Sequence, residues 1–199
     1  MAVSTDPEHR FELALSLGDL ETAHELAKEA NSQQKWLHLS TLATQQGNLE
    51  LAQECLHNAE DFSGLLLLAT STGNRKMVEK LAQSSDNAGK NNISFLSYFL
   101  LSDIDKCLDI LIKTDRIPEA AFFAMTYAPS KVPPVVKLWK EKLSAINEKA
   151  AESLADPEKY ENLFPGYREA LEIEQYMREQ YKKPMSPSEF AKLKVSFNI

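Results

Sequence analysis

The chain has 199 residues, 43% hydrophobic and 26% charged, with a formal charge of −7 at pH 7. That composition can form a core over one domain of ordinary size or a short stack of repeats, and it excludes disorder over most of the length. Only 6 Gly and 9 Pro are present, well under the roughly 12% that the two usually make up. This argues against many-turned all-β folds and against a Gly-rich, phosphate-cradling enzyme.

Residues 1–7 are expected to be flexible. The opening Met-Ala-Val-Ser-Thr-Asp-Pro-Glu-His-Arg has no apolar h-region, which predicts no secretory signal. No apolar run approaches the length of a membrane span.

From residue 8 the sequence repeats. Leu17-Gly18-Asp19-Leu20, Gln46-Gly47-Asn48-Leu49 and Thr72-Gly73-Asn74-Arg75 align, and Leu101-Ser102-Asp103-Ile104 is a degenerate fourth copy without the glycine. Each glycine is predicted to end a helix at the left-handed C′ position, and the Asp or Asn after it to cap the next helix. The register aligns Ala23, Ala52, Val78 and Cys107, and three residues on Leu26, Cys55, Leu81 and Ile110. Both columns then share one face of the second helix of each pair.

The spacing predicts helices at about 8–17, 20–29, 33–46, 49–58, 61–72, 74–84, 92–101, 103–114 and 117–127, with residues 84–92 as the longest polar loop. A single pair cannot bury its own apolar stripe, whereas stacked pairs can. The predicted fold class is therefore all-α: an α-solenoid of stacked antiparallel helix pairs over 8–127. It is TPR-like in geometry but shorter per repeat than a tetratricopeptide unit.

Residues 128–181 continue the same solenoid as a C-terminal helical region. Prolines at 129, 133 and 134 start a long helix that is expected to reach Ser153, turns follow at Asp156-Pro157 and Phe164-Pro165-Gly166, and a last helix fits Tyr167 to Tyr181. Residues 182–199 are expected to be a disordered tail. The tail holds four Lys and one Glu, leaving −10 on residues 1–181. An acidic body repels phosphate backbones, so no nucleic-acid partner is expected.

Little in the chain suggests chemistry. His9, His24, His38 and His57 include no i, i+4 pair, no His-Glu-x-x-His is present, and no metal site is expected. Phosphate-loop, dinucleotide and nucleophile-elbow motifs are missing, and carboxylates such as Glu21, Glu25 and Glu29 read as a solvated helix face. Cys55 and His57 point in different directions on a helix, while Cys55 and Cys107 read as two buried thiols rather than a disulfide framework. No catalytic residue, cofactor or small-molecule substrate is predicted.

Aromatic residues group in two places. Phe95, Tyr98, Phe99, Phe122, Phe123 and Tyr127 read as core packing. Tyr160, Phe164, Tyr167, Tyr176 and Tyr181 lie near the C-terminal end, where a stack needs a cap or a partner, and are the candidate partner-contact residues.

The runs Phe11–Leu20, Lys35–Leu39, Leu65–Asn74, Ile117–Phe122, Val136–Trp139, Lys149–Pro157 and Tyr160–Pro165 resemble the α-solenoid of the coatomer β′ subunit family. The likeness covers about residues 8–181, and no Trp-Asp repeats of the family's propellers are present. The resemblance implies a structural scaffold segment of a vesicle coat that pairs with the coatomer α subunit and other coatomer subunits. It further implies a cytoplasmic location, peripheral on Golgi and coated-vesicle membranes, and a role in Golgi-to-ER and intra-Golgi transport. The family's cargo recognition by propellers carries over to no residue, and residues 182–199 differ from its acidic C-terminal tail. The alternative reading is a TPR-like adaptor that binds short peptides in a concave groove. A groove lined by histidines and carboxylates would favour the adaptor, and an apolar patch at a helix edge or the C-terminal end the scaffold.

Overall fold

The computed structural model describes residues 6–180. These form twelve α-helices and two 3₁₀ turns, without a strand among the described residues. Residues 182–199 and Tyr181, predicted as tail and helix end, lie outside the described residues. The chain forms two compact units that meet in sequence between Leu101 and Ser102, at the glycine-free fourth turn.

The first unit contains α1 (Pro7–Leu17), α2 (Leu20–Ala30), α3 (Gln33–Gln45), α4 (Leu49–Asn58), α5 (Phe62–Ser71), α6 (Arg75–Asn87) and α7 (Asn91–Leu100). Each helix packs on the next in sequence, while α1 also touches α3 and α5 touches α7. This is the all-α, TPR-like stacking of antiparallel pairs that the repeat predicts.

The turns are built as the repeat chemistry requires. Gly18, Gly47 and Gly73 have φ of 72°, 75° and 63°. The N–H of Gly18 donates to the Leu15 carbonyl and that of Asp19 to the Ala14 carbonyl, the paired bonds of a Schellman motif. The Asp19 carboxylate then accepts from the Thr22 N–H at 3.1 Å. One residue thus closes the helix before it and caps the helix after it. Asn48 and Asn74 repeat both bonds, their side chains accepting from Leu51 and Met77. Thr22 holds the Asp19 carboxyl below its ordinary value of 3.8. Its stabilisation is therefore present above the unfolded value and is lost as pH falls through the folded one.

Other turns achieve the same geometry without glycine. Asn31, Glu60, Ser102 and Asp115 have φ of 44°, 52°, 62° and 61°. A left-handed conformation costs an L-residue roughly 1–2 kcal/mol, which gives a prediction of opposite signs. Gly47 has open space around its Cα, so Gly47→Val should lose stability through backbone strain alone. Glu60→Gly should gain up to about 1 kcal/mol, less the entropy glycine adds to the unfolded chain. At roughly 4–8 °C per kcal/mol for a unit of this size, both shifts are measurable by thermal melting.

Two cores fill the first unit. Phe11, Ala14, Ala23, Leu26, Ala27, Trp36, Leu39, Cys55 and Ala59 form one, and the other centres on Leu56, Leu65, Leu68, Met77 and Leu81. All eight residues of the two aligned columns are buried. Small residues at Ala23 and Ala52, each 0% exposed, allow close helix approach.

Two predicted boundaries need correction. Residues 84–87 belong to α6 rather than to a loop, leaving only Ala88-Gly89-Lys90 between helices. Ser85 is fully buried and its Oγ donates to the Leu81 carbonyl at 2.6 Å, the back-bonding that lets serine stay in a helix. The predicted long helix to Ser153 is two helices, α10 (Val132–Ser144) and α11 (Glu148–Ser153). They are separated at Asn147, whose side chain caps the second by accepting from the Ala150 N–H at 3.1 Å.

The second unit contains α8 (Ile104–Lys113), α9 (Ile117–Tyr127), a 3₁₀ turn (Pro129–Lys131), α10 (Val132–Ser144), α11 (Glu148–Ser153), a second 3₁₀ turn (Glu161–Leu163) and α12 (Tyr167–Gln180). Its helices pack α8 on α9, α9 on α10 and α10 on α11, and α12 rests on the first 3₁₀ turn. The inward face of α9 is Ile117, Ala120, Ala121 and Ala124. With this small-residue face turned inward, Phe122 points outward at 68% exposure and Tyr127 is 48% exposed. Both correct the core reading; of that aromatic group Tyr98 is buried and Phe95, Phe99 and Phe123 are half-buried.

Candidate partner-binding surface

The C-terminal helix α12 is anchored by one face. Tyr167 is 7% exposed, and its phenol donates to the Pro129 carbonyl at 3.1 Å. Burial, with Glu158, Asp156 and Glu174 nearby, raises its ionisation above the ordinary 10. Two turns on, the Glu174 carboxylate accepts from the Ser130 N–H at 2.8 Å, the Ser130 hydroxyl at 2.7 Å and Arg178 Nε at 2.9 Å. Its side chain is only 9% exposed. Arg178 also reaches Asp105 at 3.4 Å, where Lys131 joins at 3.7 Å. Tyr167, Glu174 and Arg178 recur at helical spacing, so they share the inward face.

Another face of α12 carries an exposed apolar strip. Ile173, Tyr176 and Met177 are 52%, 52% and 43% exposed, and their i, i+3, i+4 spacing makes one strip. Glu169, Glu172 and Glu179 on the same helix are exposed.

The candidate aromatics therefore separate. Tyr176 lies in the strip and Tyr160 is exposed at 49%. Phe164 is half-buried with its ring 6.5 Å from that of Tyr167. Tyr167 is a correction: it is buried as the anchor of α12 and offers no surface. Tyr181 lies outside the described residues. Ile173 and Met177 join the site without having been singled out; their helical spacing with Tyr176 was the available signal.

Other surfaces carry less. Phe122 meets Trp139 edge-on at 6.1 Å, and Leu13 and Leu17 are exposed on α1. A cleft of about 290 Å³ between α8 and α10 is lined by Leu108, Ile112, Pro134, Val135 and Leu138, with Asp105, Asp109 and Lys131 at its edge. Of the histidines, His24 pairs with Glu54 at 3.2 Å, while His9, His38 and His57 are exposed. Among the described residues, no group of three or more His, Cys, Asp or Glu could hold a metal ion. No described helix is long and apolar enough to cross a membrane.

Cys55 and Cys107 are buried thiols. Burial pushes both up to about 12 from 9.0, with Glu54 and Asp103 adding to the shift. Both should resist thiol reagents in the native chain at pH 8 and react fully in denaturant. Because the shift is upward, stability from these groups is unaffected below pH 9 and falls as pH rises from there toward 12. A denaturant series at rising pH would show this as a declining unfolding midpoint, and Cys55→Ser should flatten the decline.

The COPA/B TPR domain family model matches residues 1–140. Coatomer subunit beta' of Rattus norvegicus is 59% identical over 181 residues, 91% of this chain and 20% of that protein, and the Homo sapiens protein gives the same figures. The probable coatomer subunit beta' of Caenorhabditis elegans is 53% identical over 192 residues, 94% of this chain and 19% of that protein. The chain thus spans about a fifth of the length of these curated relatives. They are named as coat subunits, not as enzymes. With the paired-helix repeat and the family match in agreement, the chain belongs to the COPA/B TPR domain family.

Proposed function

We propose that this chain is a structural scaffold segment of the coatomer vesicle coat, pairing with the coatomer α subunit and acting beside the other coatomer subunits in Golgi-to-ER and intra-Golgi transport. On this reading it works in the cytoplasm and reaches Golgi and coated-vesicle membranes peripherally, through the complex. The observation that carries the pairing is the apolar strip Ile173–Tyr176–Met177, exposed on a helix whose other face is tied down by Tyr167 and Glu174. A rigidly held strip with aromatic content is what a fixed protein contact uses, because little side-chain or backbone freedom is left to lose on binding. Tyr160, also exposed, is a further candidate contact.

Mixing the chain with the α-subunit solenoid at micromolar concentration and separating by size should give a co-eluting complex. Separate elution at that concentration would count against the pairing. The α8–α10 cleft supports a second reading, capture of a short peptide, since its apolar lining has charged groups at the edge. Leu138→Ser, at a half-buried position of the cleft lining, should impair peptide capture and leave the scaffold contact intact.

A further inference from the structure

We propose that the outward face of α2, α4 and α6 in the first unit binds a polypeptide segment with basic residues at one end and acidic residues at the other. Three and seven residues past the turn glycines Gly18, Gly47 and Gly73 stand Glu21 and Glu25, Glu50 and Glu54, then Lys76 and Lys80, all of them exposed. Each pair is spaced i, i+4, so its two side chains share a face of the helix, on the side away from the buried Ala23, Ala52 and Val78. The three helices are neighbours. Side chains of α2 and α4 fill one core, and those of α4 and α6 the other. His24 on α2 also meets Glu54 on α4 at 3.2 Å. Across these helices the face presents two pairs of carboxylates and then a pair of ammonium groups.

This arrangement works against the isolated fold. Glu21 and Glu50 suit the first turns of α2 and α4, but a like charge four residues on repels each of them. Lys76 is repelled by Lys80 and also stands in the first turn of α6, where the helix dipole favours an acid. Elsewhere the surface pairs its charges within a helix, Arg75 with Glu79 at 2.9 Å and Arg116 with Glu119 at 3.1 Å. Among the described residues, Glu21, Glu25, Glu50, Lys76 and Lys80 form no ion pair. Natural chains break such local rules chiefly at functional sites, and here the break recurs in three second helices of the repeat. Charge complementarity then names the occupant. Helices that share a core lie about 8–10 Å apart, so three of them span roughly 16–20 Å. An extended segment covers that distance in about five or six residues. Its successive side chains point to opposite sides, which matches the two charged rows on each helix. The site uses no residue of α12 and stands whether or not that helix meets a coat partner.

The test titrates the full chain into two peptides of equal composition that carry a neutral fluorophore, followed by fluorescence anisotropy at low salt. One is Lys-Lys-Ser-Lys-Lys-Ser-Glu-Glu, and the other is its isomer Lys-Glu-Lys-Ser-Lys-Glu-Lys-Ser. The expected result is binding of the first peptide about five-fold tighter or more, weakened by high salt and lost in an E25K/K76E variant. That variant converts two repelling pairs into attracting ones, so it should melt at a higher temperature than the wild type. Its loss of binding then cannot come from unfolding. Equal affinity for the two peptides, wild-type affinity in the variant, or no binding of either peptide at millimolar concentration would overturn the proposal. An unchanged or lower melting temperature in the variant would overturn it too, since the like-charged pairs would then cost the fold nothing.

Discussion

Leu39→Ala should lower the stability of the first unit by about 2–5 kcal/mol, the range for deleting a buried leucine. Leu39 is 0% exposed on α3 and belongs to the core formed by Phe11, Leu26, Trp36 and Cys55. Those neighbours come from α1, α2, α3 and α4, so the void opens where four helices meet. The surroundings include Ala23, Ala27 and Ala59, whose short side chains cannot swing in to fill it. A loss near the upper end of the range follows. Chemical denaturation in a Trp139→Phe background, where Trp36 is the remaining tryptophan, measures this directly by fluorescence. A change below about 1 kcal/mol would mean that the helices close over the gap, contrary to a rigidly stacked array.

Glu174→Ala should release α12 without unfolding the rest. The carboxylate accepts from the Ser130 N–H, the Ser130 hydroxyl and Arg178, and its side chain is 9% exposed. Charge-assisted bonds of this kind contribute about 1.5–3 kcal/mol each. Water can reach Ser130 and Arg178, which are exposed, so the net loss should be about 1–3 kcal/mol in total. That is comparable to what holds a terminal helix in place. Hydrogen exchange should accelerate over residues 167–180 and stay unchanged in α2 to α5. Glu174→Gln keeps an acceptor for Ser130 but loses the charge toward Arg178, and should fall between. Uniform acceleration along the chain would show that α12 contributes to global stability instead.

The repeated pairs were legible in the sequence because their turns have strict chemistry. A positive φ followed at once by a capping side chain leaves few residue choices, and Gly18-Asp19, Gly47-Asn48 and Gly73-Asn74 use them openly. Ser102-Asp103 is the same device with the glycine replaced, and still readable from its register. Serine was harder. Ser84 and Ser85 read as loop formers, yet burial of Ser85 and its bond to Leu81 keep α6 going to Asn87. Asn147 was missed for the converse reason: Ala145 and Ile146 look helical, and only the cap on Ala150 marks a new start.

The binding surface was legible only in part. Composition pointed to aromatics at the C-terminal end, but composition does not say which face of α12 is tied down. That depends on Ser130 and Pro129, 44 and 38 residues from their partners Glu174 and Tyr167. Once those bonds orient the helix, Tyr167 turns inward and Ile173, Tyr176 and Met177 turn outward. The helical spacing of Ile173, Tyr176 and Met177 says that they share a face, but not that this face is turned outward.

Affinity for the coatomer α-subunit solenoid tests whether the outward strip of α12 is the binding surface. Ile173→Asp and Tyr176→Asp, both at half-exposed positions, should leave the thermal melt unchanged while weakening binding at least ten-fold, a loss of about 1.4 kcal/mol or more. Wild-type affinity in both variants, measured by titration calorimetry, would show that the strip makes no contact with that partner.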